Sequence, residues 1–378
     1  MIGILGLGNI GKIIADDLGK TYKGKVVYIV RNKDSVKELA KKYNATIRYG
    51  DVTKPHTLIN SLKGLKVVIH AVHHEYNVNI MKACLKTGTH YLDLGGLYHY
   101  TKKQIKLDKN FRKAKLTAIL GIGAAPGITN MLAKYGSEQF DDIKNIEILL
   151  GSEDLSTYKQ KPPIAISYSI QTILQEFTQK PAVFKNGKTV FLEPLTGRKE
   201  YTFPDPVGMK KPQYTIHSEI ATLPYTLKAK NVSFRIAFDD EFVDTIITLK
   251  RLGFLTDKEI KIKENKINVR RMMIEVLKRL PEPVPEKLHQ YEIIRVIMEG
   301  TKEGRYKQIT LDARVEGLNE TIDKDTAVPA SIAAQMIDKG EIVAAGAWPP
   351  ESILPKEEFF KELAKRKICI YMNEQRIN

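Results

Sequence analysis

The 378 residues are 43% hydrophobic and 28% charged, the make-up of a globular chain of two or three domains. No apolar run reaches the ~18 residues a bilayer span needs, and two cysteines, Cys84 and Cys369, exclude a disulfide framework and a cysteine-rich metal cluster. The net charge of +16 raises nucleic acid as a partner. However, acids interleave the basic stretches and no nucleic-acid module is visible, so the charge reads as a lysine-rich solvated surface that draws in small anions.

The amino terminus enters a strand at once, unlike a signal peptide, and the expected location is the cytoplasm, away from membranes. Strands are predicted near 1–5, 25–30, 45–50, 66–72, 89–93 and 116–121, with helices near 9–22, 34–43, 55–62, 76–87 and 101–114. Such alternation with short connections implies parallel strands joined by right-handed crossovers, a doubly wound α/β sheet. "KVVIHAV" is almost wholly apolar, as a central strand covered on both faces must be.

From about residue 127 the pattern changes. "AVFKNGKTVF" sets Asn-Gly between apolar runs, a hairpin signal. "VSFRIAF", "YEIIRVIMEG" and "RYKQITLDARV" read as further strands, with helices near 166–177, 240–251 and 269–279. The prolines of "LPEPVPEK" read as a linker. The chain therefore divides into a Rossmann domain, 1–125, an α+β domain, 126–327, and a C-terminal segment, 328–378, expected to pack back on the first.

The opening "MIGILGLGNIGKIIADDL" carries the chemistry. Gly6, Gly8 and Gly11 spell G-x-G-x-x-G between a strand and a helix: a tight turn, a close approach of backbone to a pyrophosphate, and close packing of helix on strand. The helix start at Asn9 and Ile10 turns free N–H groups toward the phosphates. An acid normally follows about 20 residues on, to hold the ribose hydroxyls. Here that position is Arg31, followed by Asn32 and Lys33. A guanidinium suits the 2′-phosphate of NADP through charge-assisted hydrogen bonds, so NADP is expected in preference to NAD. Asp51, Ala71 and Val72, at the ends of the third and fourth strands, complete the expected cofactor contacts. The "LGIGAAPGITN" loop, through Gly123 and Pro126, is expected to offer N–H groups to the nicotinamide amide or a substrate carboxylate.

Substrate belongs in the crevice at the carboxyl ends of the strands. "HAVHHEYN" brings His73, His74 and Glu75 there, and "HYLDLGGLYHY" brings Asp93, Tyr98 and His99. The segments "HYLDLGGLYH", "ILGIGAAPGITNMLA", "SIQTILQEFTQKPAVFKNGK", "HSEIATLP", "TLKRLGFL" and "GAWPPESIL" resemble, in order, the saccharopine dehydrogenase and lysine 6-dehydrogenase family. The resemblance covers nearly the whole chain. It implies a Rossmann domain with an inserted substrate and dimerisation domain, a homodimer, and NAD(P)-dependent oxidation or formation of a C–N bond on a basic amino acid. The lysine dehydrogenases it resembles carry Asp where this chain has Arg31.

Hydride leaves a carbon bearing nitrogen only when that nitrogen is neutral, so an ammonium of pKa ~10.4 must first lose a proton. Asp93 is a candidate base or ammonium anchor, or else a cap for the Gly95–Gly96 turn. His217 and Glu219, two apart in "HSE", share a face if that segment is a strand, and make a proton-transfer pair. Arg235 is a candidate for a substrate carboxylate, or else lies on a surface face of its sheet, and His74 and Tyr168 are candidates for substrate hydrogen bonds. No metal-ligand spacing is present and hydride transfer needs none. The expected partner is a small amino-acid substrate. A carboxynorspermidine-type polyamine dehydrogenase and a non-catalytic dinucleotide-binding regulator are the alternatives.

Overall fold

The computed structural model describes residues 1–160, 169–281 and 283–378. Its first body is a parallel sheet. Strands β1 (Ile2–Leu5), β2 (Val26–Val30), β3 (Thr46–Tyr49), β4 (Val67–His70), β5 (His90–Asp93) and β6 (Thr117–Ile119) run side by side in the order β6-β5-β4-β1-β2-β3. β1 lies between β2 and β4, with Ile2 beside both Val26 and Val67. The order reverses at β1, the topological switch point where such sheets open a crevice. β1, β2 and β4 are buried along their whole length because helices cover both faces.

Helix α1 (Asn9–Thr21) follows β1 and buries Gly11, Ile14, Ala15 and Leu18, the three-to-four spacing of a single apolar stripe. The helix expected over 34–43 is a 3-10 turn, Asp34–Val36, running into α2 (Lys37–Lys42). α3 (Pro55–Leu62) starts on proline, whose missing N–H costs nothing in a first turn. α4 (Asn77–Thr87) stops at the left-handed Gly88. The helix expected over 101–114 is divided into α5 (Tyr98–Ile105) and α6 (Asp108–Lys113), and α7 (Ile128–Ser137) leaves the loop after β6.

The second body is a mixed sheet built on β7 (Asp142–Asp154). β7 pairs in parallel with Asn231–Ile236 and antiparallel with His289–Lys302, which makes a long hairpin with Arg305–Leu318. The Asn-Gly hairpin, Ala182–Lys185 with Lys188–Phe191, forms one edge. Helix α8 (Ile170–Thr178) packs with the helices Asp240–Arg251 and Val269–Leu277 in a cluster of its own, around Ile173, Leu174, Phe177, Ile246 and Met273. The proline-rich stretch is partly structured: Val284–Lys287 pairs with Thr157–Gln160.

The C-terminal stretch serves both bodies. Helix Lys324–Lys339 lies against α1 and β4, and Gly346–Trp348 becomes a seventh parallel strand beside β6. Ile368–Met372, however, joins the second sheet beside Arg305–Leu318 rather than returning to the first. Its apolar Ile368 and Ile370 are fully buried there. Among the described residues no helix is long and apolar enough to cross a membrane.

Candidate active site

The glycine turn separates what the fold needs from what a ligand needs. Gly6 has φ +91°, and a Cβ there would run into Val72; a Cβ on Gly11 would run into the Gly6 carbonyl. Both glycines are thus fixed by packing. Gly8 has an ordinary φ of −73° and open space where a Cβ would stand. Nothing in the fold requires glycine at 8, whereas a pyrophosphate lying on the backbone does. No side chain caps the N-terminus of α1 and no acid sits in its first turn, so the N–H groups of Asn9, Ile10 and Gly11 and the positive end of the helix dipole suit phosphate. Ala71 and Val72 wall the turn, with the Ala71 N–H on the Leu5 carbonyl at 2.9 Å.

Arg31 stands exposed at the end of β2, in no ion pair among the described residues. Its charge acts on the nearly buried Asp51. Hydrogen bonds from Thr53, then that charge, hold the Asp51 carboxyl below its ordinary range. Asn32 is exposed and caps the following turn, its Oδ1 accepting the Asp34 N–H at 3.0 Å.

Next to this turn, a chain of neutral groups stiffens the carboxyl ends of β4 and β5. His70 Nδ1 accepts the Val72 N–H at 3.1 Å, so its Nε2 carries the proton and donates to Asn77 Oδ1 at 2.8 Å. Burial pushes His70 down to about 4. Asp93 lies at the end of this chain, and the structure corrects its expected role. The side chain is 1% exposed. Oδ1 accepts the N–H groups of Gly95 (2.8 Å) and Gly121 (2.7 Å), while Oδ2 accepts Tyr91 Oη (2.7 Å), Gln104 and Asn77. Burial raises its pKa and those donors hold it back. With every lone pair engaged, Asp93 fastens β5 to β6 and offers nothing to a substrate amine. The turn-capping alternative is the one its geometry matches.

The second body closes over these strand ends at two places. His74 Nε2 donates to Gln175 Oε1 on α8 at 2.9 Å. Burial, with His73 beside it, pushes the His74 imidazole down to about 3, so it stays neutral. Farther along, Ser218 binds the Gly96 backbone and accepts the Thr101 hydroxyl at 3.1 Å. Glu219 Oε1 accepts the Thr129 hydroxyl of α7 at 2.7 Å. The "HSE" segment is thus pinned across the ends of β5 and β6. It is not a strand: Glu219–Ala221 is a 3-10 turn.

That turn brings His217 and Glu219 together all the same. His217 Nδ1 contacts Glu219 Oε2, and the imidazole stacks on Phe234 at 3.7 Å between centroids and 7° between planes. Burial alone would lower the imidazole pKa, but the fully buried Glu219 carboxylate, with Glu176 of α8 adding to it, raises it. An imidazole whose protonated form is favoured by two buried acids can take a proton and give it back. Glu176 is a site residue that the sequence reading does not reach. Glu176 was legible as an acid beside Phe177 and Ile173 on the apolar side of its helix.

One further expectation is corrected, and another is narrowed. Arg235 points away from this site: Phe234 faces His217, so strand alternation turns Arg235 to the other face, where it pairs with Glu147 and lies 4.2 Å over the Tyr214 ring. In the loop of Gly123 and Pro126, Pro126 has no N–H to offer and three other N–H groups are engaged within the turn. The Gly123 N–H donates to the Pro126 carbonyl (2.7 Å), the Ile128 N–H to Gly123 (2.9 Å), and the Gly127 N–H to Asn130 (3.0 Å). It supports α7 and Glu219 from below. Tyr168 lies outside the described residues.

Residues 2–119 match the saccharopine dehydrogenase NADP binding domain and residues 123–368 the saccharopine dehydrogenase C-terminal domain. The chain is 23% identical over 350 residues to carboxynorspermidine synthase from Vibrio cholerae serotype O1, covering 88% of this chain and 83% of that one. It is 25% identical over 295 residues to carboxyaminopropylagmatine dehydrogenase from Synechocystis sp., covering 73% and 72%. Among solved structures, apo saccharopine dehydrogenase (L-Glu forming) from Saccharomyces cerevisiae superposes with a TM-score of 0.76, over 100% of this chain and 99% of that one, at 17% identity. Homospermidine synthase from Legionella pneumophila, in complex with NAD, gives 0.74 over 99% and 91%, at 13% identity. At such identities these structural likenesses establish the fold.

Proposed function

The chain belongs to the saccharopine dehydrogenase family and is an NAD(P)-binding oxidoreductase; from that premise we propose that it joins a diamine to an amino-acid aldehyde, reducing their imine to the secondary amine of a carboxylated polyamine. The curated relatives named above favour this polyamine branch over lysine or saccharopine as substrate. The observation that carries the reading is the acid-lined wall, where Glu219 and Glu176 surround His217. Such a wall suits a cationic amine and would repel an anionic partner there.

The reaction balances as aldehyde plus primary amine giving imine and water, followed by addition of a hydride to carbon and a proton to nitrogen. The bound nicotinamide supplies the hydride. Gly8 and the start of α1 hold the pyrophosphate end, and Arg31 reads the 2′-phosphate. Condensation needs a neutral amine, and the His217–Glu219 pair takes its proton. The same pair returns a proton to nitrogen as the imine is reduced. His74, neutral and tied to Gln175, keeps α8 seated over the strand ends.

The test is NADPH oxidation with 1,3-diaminopropane and aspartate 4-semialdehyde together, against each alone, and against NADP reduction with L-lysine or saccharopine. Oxidation only when both are present is the expected result. Turnover of L-lysine or saccharopine in its place would overturn the polyamine reading.

A further inference from the structure

The wall that carries His217 holds two more polar side chains that no group among the described residues satisfies. Gln213 sits on the short strand Gln213–Tyr214, opposite Ile236 of the strand Asn231–Ile236. Tyr214 turns outward with Arg235, so Gln213 faces the inner side, the side of Phe234 and His217. Thr215 follows directly after this strand and lies two residues before His217. Gln213 and Thr215 are each 1% exposed. Both amide atoms of Gln213 and the hydroxyl of Thr215 are buried with no hydrogen-bond partner among the described residues. Buried polar groups are almost always paired, and donors and acceptors left open two residues apart on one segment mark a place where a partner is brought in.

The chemistry of the partner follows from which atoms are open. A plain ammonium has donors only; it would satisfy Gln213 Oε1 and Thr215 Oγ1 and leave the Gln213 NH₂ unpaired. A plain carboxylate would accept from the Gln213 NH₂ and the Thr215 hydroxyl and leave Gln213 Oε1 unpaired. A group carrying ammonium and carboxylate on one carbon meets both. Accordingly we infer that Gln213 and Thr215 recognise the α-amino-acid end of the substrate, while His217 and Glu219 handle protons at its reacting nitrogen. This rests on the imine-reducing reading of the same site and names which end of the substrate enters deepest into the second body.

Titration of the NADP-loaded protein with two probes tests it: L-2,4-diaminobutyrate, which has the amino-acid end, and 1,3-diaminopropane, which lacks it. The variants are Gln213→Met and Thr215→Val, which keep volume and remove the open polar atoms. Each is expected to bind L-2,4-diaminobutyrate at least ~10-fold more weakly and 1,3-diaminopropane within twofold of the parent. Their melting temperatures without probe should equal or exceed the parent's, since an unsatisfied buried group has been removed. Equal loss for both probes, no loss, no binding of L-2,4-diaminobutyrate by the parent, or a lowered melting temperature without selective loss would each overturn the assignment. If the condensation assay is silent but the selective loss is seen, the reaction reading fails and the recognition assignment stands.

Discussion

Replacing Arg31 by Ala tests the basis of cofactor choice most directly. The guanidinium is exposed, so the water-like limit applies, where unit charges ~4 Å apart attract by about 1 kcal/mol. A phosphate monoester carries about −1.5 to −2 near neutral pH. The loss on R31A is therefore about 1.5–2 kcal/mol, a ~10- to 30-fold fall in kcat/KM for NADPH with little change for NADH. R31D removes one charge and adds its opposite, and should cost roughly twice that in free energy. Asp51 sharpens the effect, because its carboxylate stays ionised beside the vacated position. Steady-state kinetics with both cofactors, repeated at low and high salt, give the readout. An electrostatic contact on the surface must weaken as salt screens it. A NADPH/NADH ratio within twofold of the parent in R31A, or a fall that salt does not reduce, would refute the argument.

Other substitutions probe separate steps. Gly8→Ala should leave the melting temperature unchanged, since its Cβ enters open space, yet weaken dinucleotide binding measured by fluorescence titration. Glu219→Gln removes the charge that raises His217, so the alkaline limb of the pH–rate profile should move to lower pH while the cofactor KM holds. Asp93→Asn places an NH₂ among the donors Tyr91, Gln104 and Asn77. It should destabilise by about 2–3 kcal/mol in denaturant unfolding, with substrate KM unaltered in the surviving folded protein. Burial raises Glu292 and Asp325, which share a hydrogen bond, and pushes the neighbouring Asp323 up to about 6. Carboxyls raised in the folded state contribute stability below their ordinary range and lose it as pH climbs through the raised values. Melting temperature should therefore fall between about pH 5 and 8, and Glu292→Gln should flatten that fall.

The parallel sheet was legible because each of its signals is local. Val67–His70 announces a covered strand by composition, and Gly6, Gly8 and Gly11 announce a turn by spacing. The site was legible only where two neighbours in sequence are also neighbours in space, as with His217 and Glu219. Even there the geometry came from a 3-10 turn rather than the strand that pattern suggested, since Ser218 is drawn onto Gly96 and Glu219 onto Thr129. Asp93 misled for a physical reason. A carboxylate at a strand end before glycines looks alike in sequence whether it faces a ligand or receives five hydrogen bonds, and the donors Asn77, Gln104 and Gly121 lie 11 to 28 residues away. Arg235 was placed on its strand correctly, but the face depended on Phe234 meeting His217.

If the proposed reaction holds, charge distribution ties the two bodies to different halves of its chemistry. The net +16 gives the surface a field that gathers an anionic dinucleotide and, by the same sign, disfavours a polyamine. A site that must accept both needs its acids out of reach of that surface field. Glu219 is fully buried and Glu176 is 3% exposed, where the lower dielectric strengthens their pull on a nearby cation. Arg31, in contrast, stands in solvent at the opposite end of the crevice, where an exposed cation meets phosphate at little desolvation cost. On the proposed reading, an exposed base for the cofactor and a buried acid for the amine form one consistent arrangement, each charge standing where its own ligand would feel it most.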